Sequence, residues 1–316
     1  MWHTSELGRA LRFPRLGVCA MKSTSKLLPV VVAALCACAD GSIGPVSPEL
    51  TRRAELSASL TGNTTIVVAE GSVVRQAENT VPTNNWVLYT RVGTAASAAQ
   101  FIIGPDTPPL GVGSYQSQLA SNAEKAWLFN YDHVGTALSS ITGLSYATYN
   151  NNAAVVALPS INIQIDVNGG TFVPGEFRTL VYEPYQQAPS FVNTPGIWRS
   201  WDAYNGGVGL WWSTGATSCP QGAPCTWTAL VASYPGATIL GGFGINAGSG
   251  NAGLDASTDA LSIEYGGGSV TYDFDPYVTP SSKESCKNGG WLTVTRSDGS
   301  PFKNQGDCVS FFNNGR

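Results

Sequence analysis

From Ile66 onward one pattern recurs along the chain: a short run of β-branched and aromatic residues alternating with polar ones, followed by a cluster of Gly, Pro, Asn or Ser. The runs read "TIVVAE", "WVLYTRV", "QFIIG", "AWLFNYDHV", "LSYATYN", "SINIQIDVN", "RTLVYEPY", "ATILGGFGIN", "LSIEY" and "VTYDF". A period of two sends successive side chains to opposite faces of a sheet, so each run predicts a strand with one core face and one wet face. Residues 161–168 show it most plainly, with Ile161, Ile163, Ile165 and Val167 alternating with Asn162, Gln164, Asp166 and Asn168. "LSIEYGGGSVTYDF" predicts a hairpin closed by Gly266, Gly267 and Gly268. The helical period appears once: Trp227, Leu230, Val231 and Tyr234 fall at i, i+3, i+4 and i+7, behind a Thr226 cap and ahead of Pro235 and Gly236. Many strands, one short helix and no β-α-β alternation predict an all-β fold, two antiparallel sheets packed as a sandwich or jelly roll.

Composition agrees, since 36 Gly and 19 Pro with only 12% charged residues favour short strands and turns over long helices. What composition adds is a destination. Met21 opens a second candidate start, followed by the basic Lys22 and Lys26 and the short apolar run "LLPVVVAALCA", the layout of an export signal. The run is too short to span a bilayer. It ends in Leu35-Cys36-Ala37-Cys38, which resembles the bacterial lipobox, with Cys38 as the lipidated residue; Asp40 two positions on resembles an inner-membrane retention signal. Residues 1–38 are therefore read as a targeting segment and 39–64, mixed in Pro, Ser and charge without period, as a linker. Five of the 17 basic residues and one of the 21 acidic ones precede Cys38, so the exported chain carries about −8. Between Trp127 and Ser282 the only cations are Arg178 and Arg199, which excludes a row of phosphate contacts and with it nucleic acid as a partner.

Export also sorts the cysteines. Cys19 and Cys36 leave with the targeting segment and Cys38 takes the lipid, leaving Cys219, Cys225, Cys286 and Cys308. Three pairings are open, and the local ones, Cys219 with Cys225 and Cys286 with Cys308, are favoured because each brackets a Gly-containing loop in an oxidising compartment. Residues 281–316 shift to basic and carry their own cysteine pair, which predicts a small C-terminal unit after a sandwich over 65–280. Zinc is disfavoured, with no C-x2-C knuckle and His133 as the only histidine of the exported chain.

Two resemblances enter here. "WRSWDAYNGGVGLWW", "CTWTALVASYPGATI", "GFGINAGSG", "DALSIEY" and "YDFDP" resemble a group of uncharacterised exported bacterial proteins with jelly-roll or concanavalin-like sandwiches. The tail, "CKNGGW" followed by "FKNQGDCVSF", is similar to a two-cysteine segment that ends many bacterial surface and secreted proteins. They imply architecture and export, and a binding role only by analogy with similar sandwiches.

The candidate ligand site is the aromatic stretch 198–212, which holds four of the nine tryptophans. With Asn205-Gly206-Gly207 as a hairpin turn, Trp201 would face Trp211 across the pair. Trp211 and Trp212, being adjacent, cannot both enter one core. An exposed indole stacked on a sugar ring, with polar neighbours beside it, makes Trp198, Arg199, Trp201, Asp202, Tyr204, Trp211 and Trp212 the expected ligand-binding set. The carboxylates Glu183, Glu264, Asp273 and Asp275 are weaker candidates for glycan hydrolysis, because the Glu-x-Asp-x-Glu strand of concanavalin-like hydrolases is absent. Asn246, Asn251, Asp255 and Asp259 are the oxygens a structural calcium ion would use, although their spacing is not that of an EF-hand. No G-x-S-x-G, P-loop or dinucleotide fingerprint occurs, so no catalytic residue is assigned and no other cofactor is expected. The sequence thus predicts an exported, lipid-anchored, non-catalytic binding or adhesion module of the cell envelope, with a glycan or cell-surface partner. The alternatives are a structural envelope protein without small ligand and a glycan hydrolase or lyase.

Overall fold

The computed structural model describes residues 60, 62–91, 98–152, 157–169, 173, 175–187, 193–215 and 218–314. The targeting segment, the lipidation position Cys38 and most of the linker lie outside the described residues. Among the described residues fifteen strands form two facing sheets, as the alternation predicts. The first sheet runs β1 (Asn63–Ala69), β15 (Gly268–Asp275), β14 (Asp255–Tyr265), β5 (Gly113–Gln118) and β4 (Ala98–Ile103), with β7 (Ile141–Asn150) also on β14 and β10 (Trp198–Asp202) on β7. The second runs β12 (Cys225–Thr226), β11 (Leu210–Ser213), β9 (Phe177–Tyr182), β8 (Ser160–Asp166), β13 (Thr238–Ala247), β6 (Lys125–Asn130), β3 (Trp86–Arg91) and β2 (Val74–Ala77). Most pairs are antiparallel, but β1 lies parallel to β15 and β2 to β3, so both sheets are mixed. Parallel pairing, whether of the distant β1 and β15 or of the consecutive β2 and β3, leaves no hairpin-turn signal in the sequence, which is why these two pairs were not foreseen.

Ile161, Ile163 and Ile165 do enter the core, where they join Leu128, Trp86 and Leu88 from the second sheet and Leu144, Leu261, Ile263, Tyr272 and Phe274 from the first. Trp86 stands edge-on to Tyr272 and Phe274, with ring centroids 4.8 and 5.5 Å away, the favourable geometry for buried rings. The β14–β15 hairpin closes on two residues, Gly266 and Gly267, both at positive φ; Gly268 already belongs to the strand, paired with Tyr265. That is the glycine-demanding turn whose twist matches the flanking strands. The predicted helix is α1 (Trp227–Ser233); Thr226 Oγ1 accepts the Ala229 N–H as its cap, and Trp227 and Leu230 close the core beside β11.

Both local disulfides form, Cys219 with Cys225 and Cys286 with Cys308. The second holds a small core of its own with Val294 and Phe302, under a second helix, α2 (Gln305–Asn314), that the sequence reading did not contain. With a mere ten residues and few apolar positions α2 carries little periodic signal, and its Cys308 is fixed by the disulfide. Arg296 clamps both oxygens of Asp307 at 2.7 Å, tying the preceding loop to α2. Among the described residues no helix is long and apolar enough to cross a membrane.

Candidate functional site

The expected aromatic platform is not assembled. Asn205-Gly206-Gly207 forms a 3-10 turn, and the strands on either side belong to different sheets: β10 pairs with β7, and β11 pairs with β9 and β12. Trp201 therefore lies opposite Tyr146 rather than Trp211. The physical reason is that a tight turn also serves a chain stepping from one sheet of a sandwich to the other, and the sequence signal is the same in both cases.

The seven residues consequently do different things. Trp211 is fully buried, 5.1 Å from the Trp227 ring and 5.5 Å from Tyr182, with its Nε1–H given to Ala203 O at 2.8 Å. Trp201 is half-buried against the core and donates to Thr148 Oγ1 at 2.8 Å. Trp198 packs on Tyr149 and donates to Pro105 O at 2.9 Å. Arg199 reaches Thr194 Oγ1, Asp202 accepts from Asn205 N, and Tyr204 packs on Trp227. Of the seven, Trp212 is the one that lines the cleft on the second sheet.

That cleft, of about 530 Å³, lies on the outward face of the second sheet and is within the size range of small-ligand sites. Its floor follows from register. Tyr89, Trp127, Asn246 and Ser160 are successive partners across β3, β6, β13 and β8; one step along, Phe129, Gly244, Asn162, Val181 and Trp212 form the next row; Gln164 and Thr179 form a third. All of these except Gly244 line the cleft. The face expected to be wet is thus sheltered: Asn162 is 4% exposed and Gln164 5%. Absent side chains make the depth. At Gly242 a Cβ would lie 2.3 Å from the Phe129 ring, so only glycine lets that ring settle across β13.

Buried amides are costly unless bonded, and here they are bonded only in part. A register shift in β13 between Ile239 and Phe243 frees the Gly242 N–H, which Gln164 Oε1 accepts at 2.8 Å. A backbone N–H can only donate, so the orientation of this amide is fixed, and its Nε2 group is left for the cleft. Asn246 Nδ2 donates to Ser160 Oγ, while Asn246 Oδ1 is buried with no partner.

One wall carries a positioned carboxylate. Glu183 Oε2 accepts from Trp212 Nε1 at 2.7 Å, Tyr185 OH at 3.1 Å and Gln221 Nε2 at 3.3 Å. Burial, with the Glu183 charge second, raises the Tyr185 phenol, so Tyr185 stays a neutral donor. At the other end Arg91 pairs with Glu78, whose carboxyl this bond holds below its ordinary range, and Lys125 Nζ sits 4.2 Å over the Trp127 ring.

Of the remaining sequence candidates, Glu264 is exposed on β14, Asp273 and Asp275 meet Asp259, and the four proposed calcium residues do not form one set. Asp255 accepts from Gln116, Gln118 and Asn151, whereas Asp259 is buried under Leu110 N and Phe274 N, so these two of the proposed calcium oxygens serve separate bonds, while Asn246 and Asn251 line the cleft and Asn251 Nδ2 donates to Gly248 O. His133 is fully enclosed. Tyr272 OH donates to Asn130 Oδ1 and so receives the His133 Nε2–H at 2.8 Å, while Nδ1 accepts from Tyr265 OH at 3.0 Å. Burial lowers its pKa to about 3, a structural and neutral imidazole. Among the described residues no group of three or more His, Cys, Asp or Glu is arranged to hold a metal. In comparisons with known proteins, no family, no curated protein and no solved structure matches the chain.

Proposed function

We propose that this chain is a non-catalytic glycan-binding protein, exported and held at the cell envelope through a lipid on Cys38, with its ligand in the outward cleft of the second sheet. The observation that carries the reading is the sheltered floor of amides with spare hydrogen-bonding capacity, Gln164 Nε2 and Asn246 Oδ1, beside the part-exposed indole of Trp212. Sugars present what such a site lacks: hydroxyls that both donate and accept, and an apolar C–H face for a ring. Glu183, with one oxygen already held by three donors, offers the other to a hydroxyl. Trp212 is the one residue of the expected aromatic set that stays in the site.

The test is affinity electrophoresis of the purified protein in gels containing neutral polysaccharides: a β-glucan, a xylan, a mannan and a galactan. At least one should retard it, Trp212→Ala and Asn246→Ala should abolish the retardation, and Trp198→Ala, on the other sheet, should not. Silence across the panel would favour a structural envelope protein and overturn the proposal, as would loss in Trp198→Ala with Trp212→Ala still binding. Release of reducing ends from a retarding polysaccharide would overturn the non-catalytic part.

A further inference from the structure

Away from the cleft, the loop 104–112 folds over the outward face of the first sheet where three aspartates meet. Asp273 and Asp275 alternate on β15 and so share a face, and Asp259 joins them from the neighbouring β14. Asp259 is saturated by backbone donors, Oδ1 by Phe274 N and Oδ2 by Leu110 N. Asp275 Oδ1 accepts from Val112 N at 2.9 Å and Gly113 N at 2.6 Å. Asp273 is different: it is 5% exposed, and its Oδ1 is buried with no partner. Among the described residues no Lys or Arg makes an ion pair with any of the three.

The loop comes close at this spot. Gly111 turns through positive φ with its missing side chain toward the aspartates: a Cβ there would stand 2.6 Å from Asp273 Oδ1, and 2.4 and 2.7 Å from the two Asp275 oxygens. The carboxylates of Asp273 and Asp275 are therefore closer together than the sum of two such distances, under a loop backbone that any side chain would push away. Two carboxylates so placed repel unless something positive lies between them. Burial, then the charges of Asp275 and Asp259, push Asp273 up to about 7, and burial raises Asp275 as well.

We propose that Asp273 and Asp275, under the 104–112 loop, bind a calcium ion. The donor set is hard oxygen on an irregular loop, which suits calcium with its six to eight ligands at about 2.3–2.6 Å and disfavours magnesium, which demands a tight octahedron. Two carboxylates suffice because carbonyls and waters supply the other ligands, so the site does not need a third acid. Its role is to pin the loop, whose Pro105 carbonyl also receives the Trp198 indole N–H. This inference is independent of the glycan reading.

The experiment is thermal unfolding of the whole protein, stripped with EDTA and titrated with CaCl2 or MgCl2 at pH 7.4, with bound calcium counted by mass spectrometry. Calcium should raise Tm by about 5–10 °C at a hundredfold excess over Kd, magnesium by far less, with one ion per chain. Asp273→Asn removes a repelling charge, so it should be folded in EDTA, at least as stable as the stripped wild type, and unresponsive to calcium. Asp255→Asn, in the segment that the sequence alone favoured for calcium, should respond like wild type. A wild-type Tm that ignores calcium up to 10 mM (about tenfold above the weakest extracellular modules) would overturn the site, leaving a shared proton as the counter-charge. A response that survives Asp273→Asn would overturn the assignment.

Discussion

Trp211 and Trp212 are neighbours in sequence with opposite duties, and replacing each by alanine separates them. Trp211 has no exposed surface, touches Trp227 and Tyr182, and bonds Ala203 O. A buried indole contributes about 150–250 Å² of contact, and its truncation leaves a cavity costing about 3–5 kcal/mol. The Ala203 carbonyl, left buried without its donor, adds about 1–3 kcal/mol. The sum approaches the whole stability of an ordinary domain, about 5–15 kcal/mol. Trp212 is only part-buried and its indole lines an open cleft, so Trp212→Ala should cost about 1–2 kcal/mol, chiefly the lost bond to Glu183. Urea unfolding followed by circular dichroism should show the Trp211→Ala midpoint collapsing while that of Trp212→Ala moves little and its glycan retardation vanishes. Equal destabilisation by the two substitutions, or a mild Trp211→Ala, would refute the assignment of one ring to the core and the other to the cleft.

Other consequences concern pH, a crosslink and a cap. His133 titrates near 3 when folded and near 6.5 when unfolded, so the unfolded chain takes up the proton first and stability falls by about 1.4 kcal/mol per pH unit below 6.5. His133→Gln, followed by urea midpoints from pH 7 to 4, should flatten that slope. Asp273 acts with the opposite sign: raised to about 7 from 3.8, it gives stability that is present in acid and lost as pH climbs between those values. In EDTA the Asp273→Asn variant should therefore steepen the acid loss that wild type partly masks, and an unchanged slope would count against the buried carboxyl pair. Cys286→Ser with Cys308→Ser opens a 22-residue separation and should destabilise the C-terminal unit by about 3 kcal/mol, seen as faster amide exchange over 284–314 with the sandwich unaffected. Thr226→Ala should cost about 1 kcal/mol through its Ala229 bond, a thermal shift of a few degrees.

The strands were legible because burial enforces the period of two: a slip of one residue would have turned Ile161, Ile163 and Ile165 outward. The short helix was legible because capping and periodicity agree over one segment, and the disulfides because each cysteine pair brackets a Gly-containing loop. Pairing between distant segments was not. β2 and β5, "VRQA" and "GSYQSQ", are polar and small, and they are strands only because their neighbours offer them a ladder. The linker reading to residue 64 likewise gives way at Asn63, where β1 lies along β15.

The site was half legible, and the aromatic count pointed elsewhere. Tryptophans cluster where two sheets must be stitched together, since each ring fills volume and its N–H answers a stray carbonyl, as Trp211 does for Ala203 and Trp198 for Pro105. The better clue was the kind of polarity on the strands. A face open to water tolerates Lys and Glu, whereas Asn162, Gln164 and Asn246 are amides, which hydrogen-bond without charge and can be sheltered if a partner is at hand. Part of that partnership is internal, through Ser160 and Gly242; the remainder is unmet, with Asn246 Oδ1 buried beside the cleft and without a partner. An amide row on an outer face, opposite a row of isoleucines, is therefore a stronger mark of a binding floor than a tally of indoles, because a merely solvated face gains nothing from withholding charge.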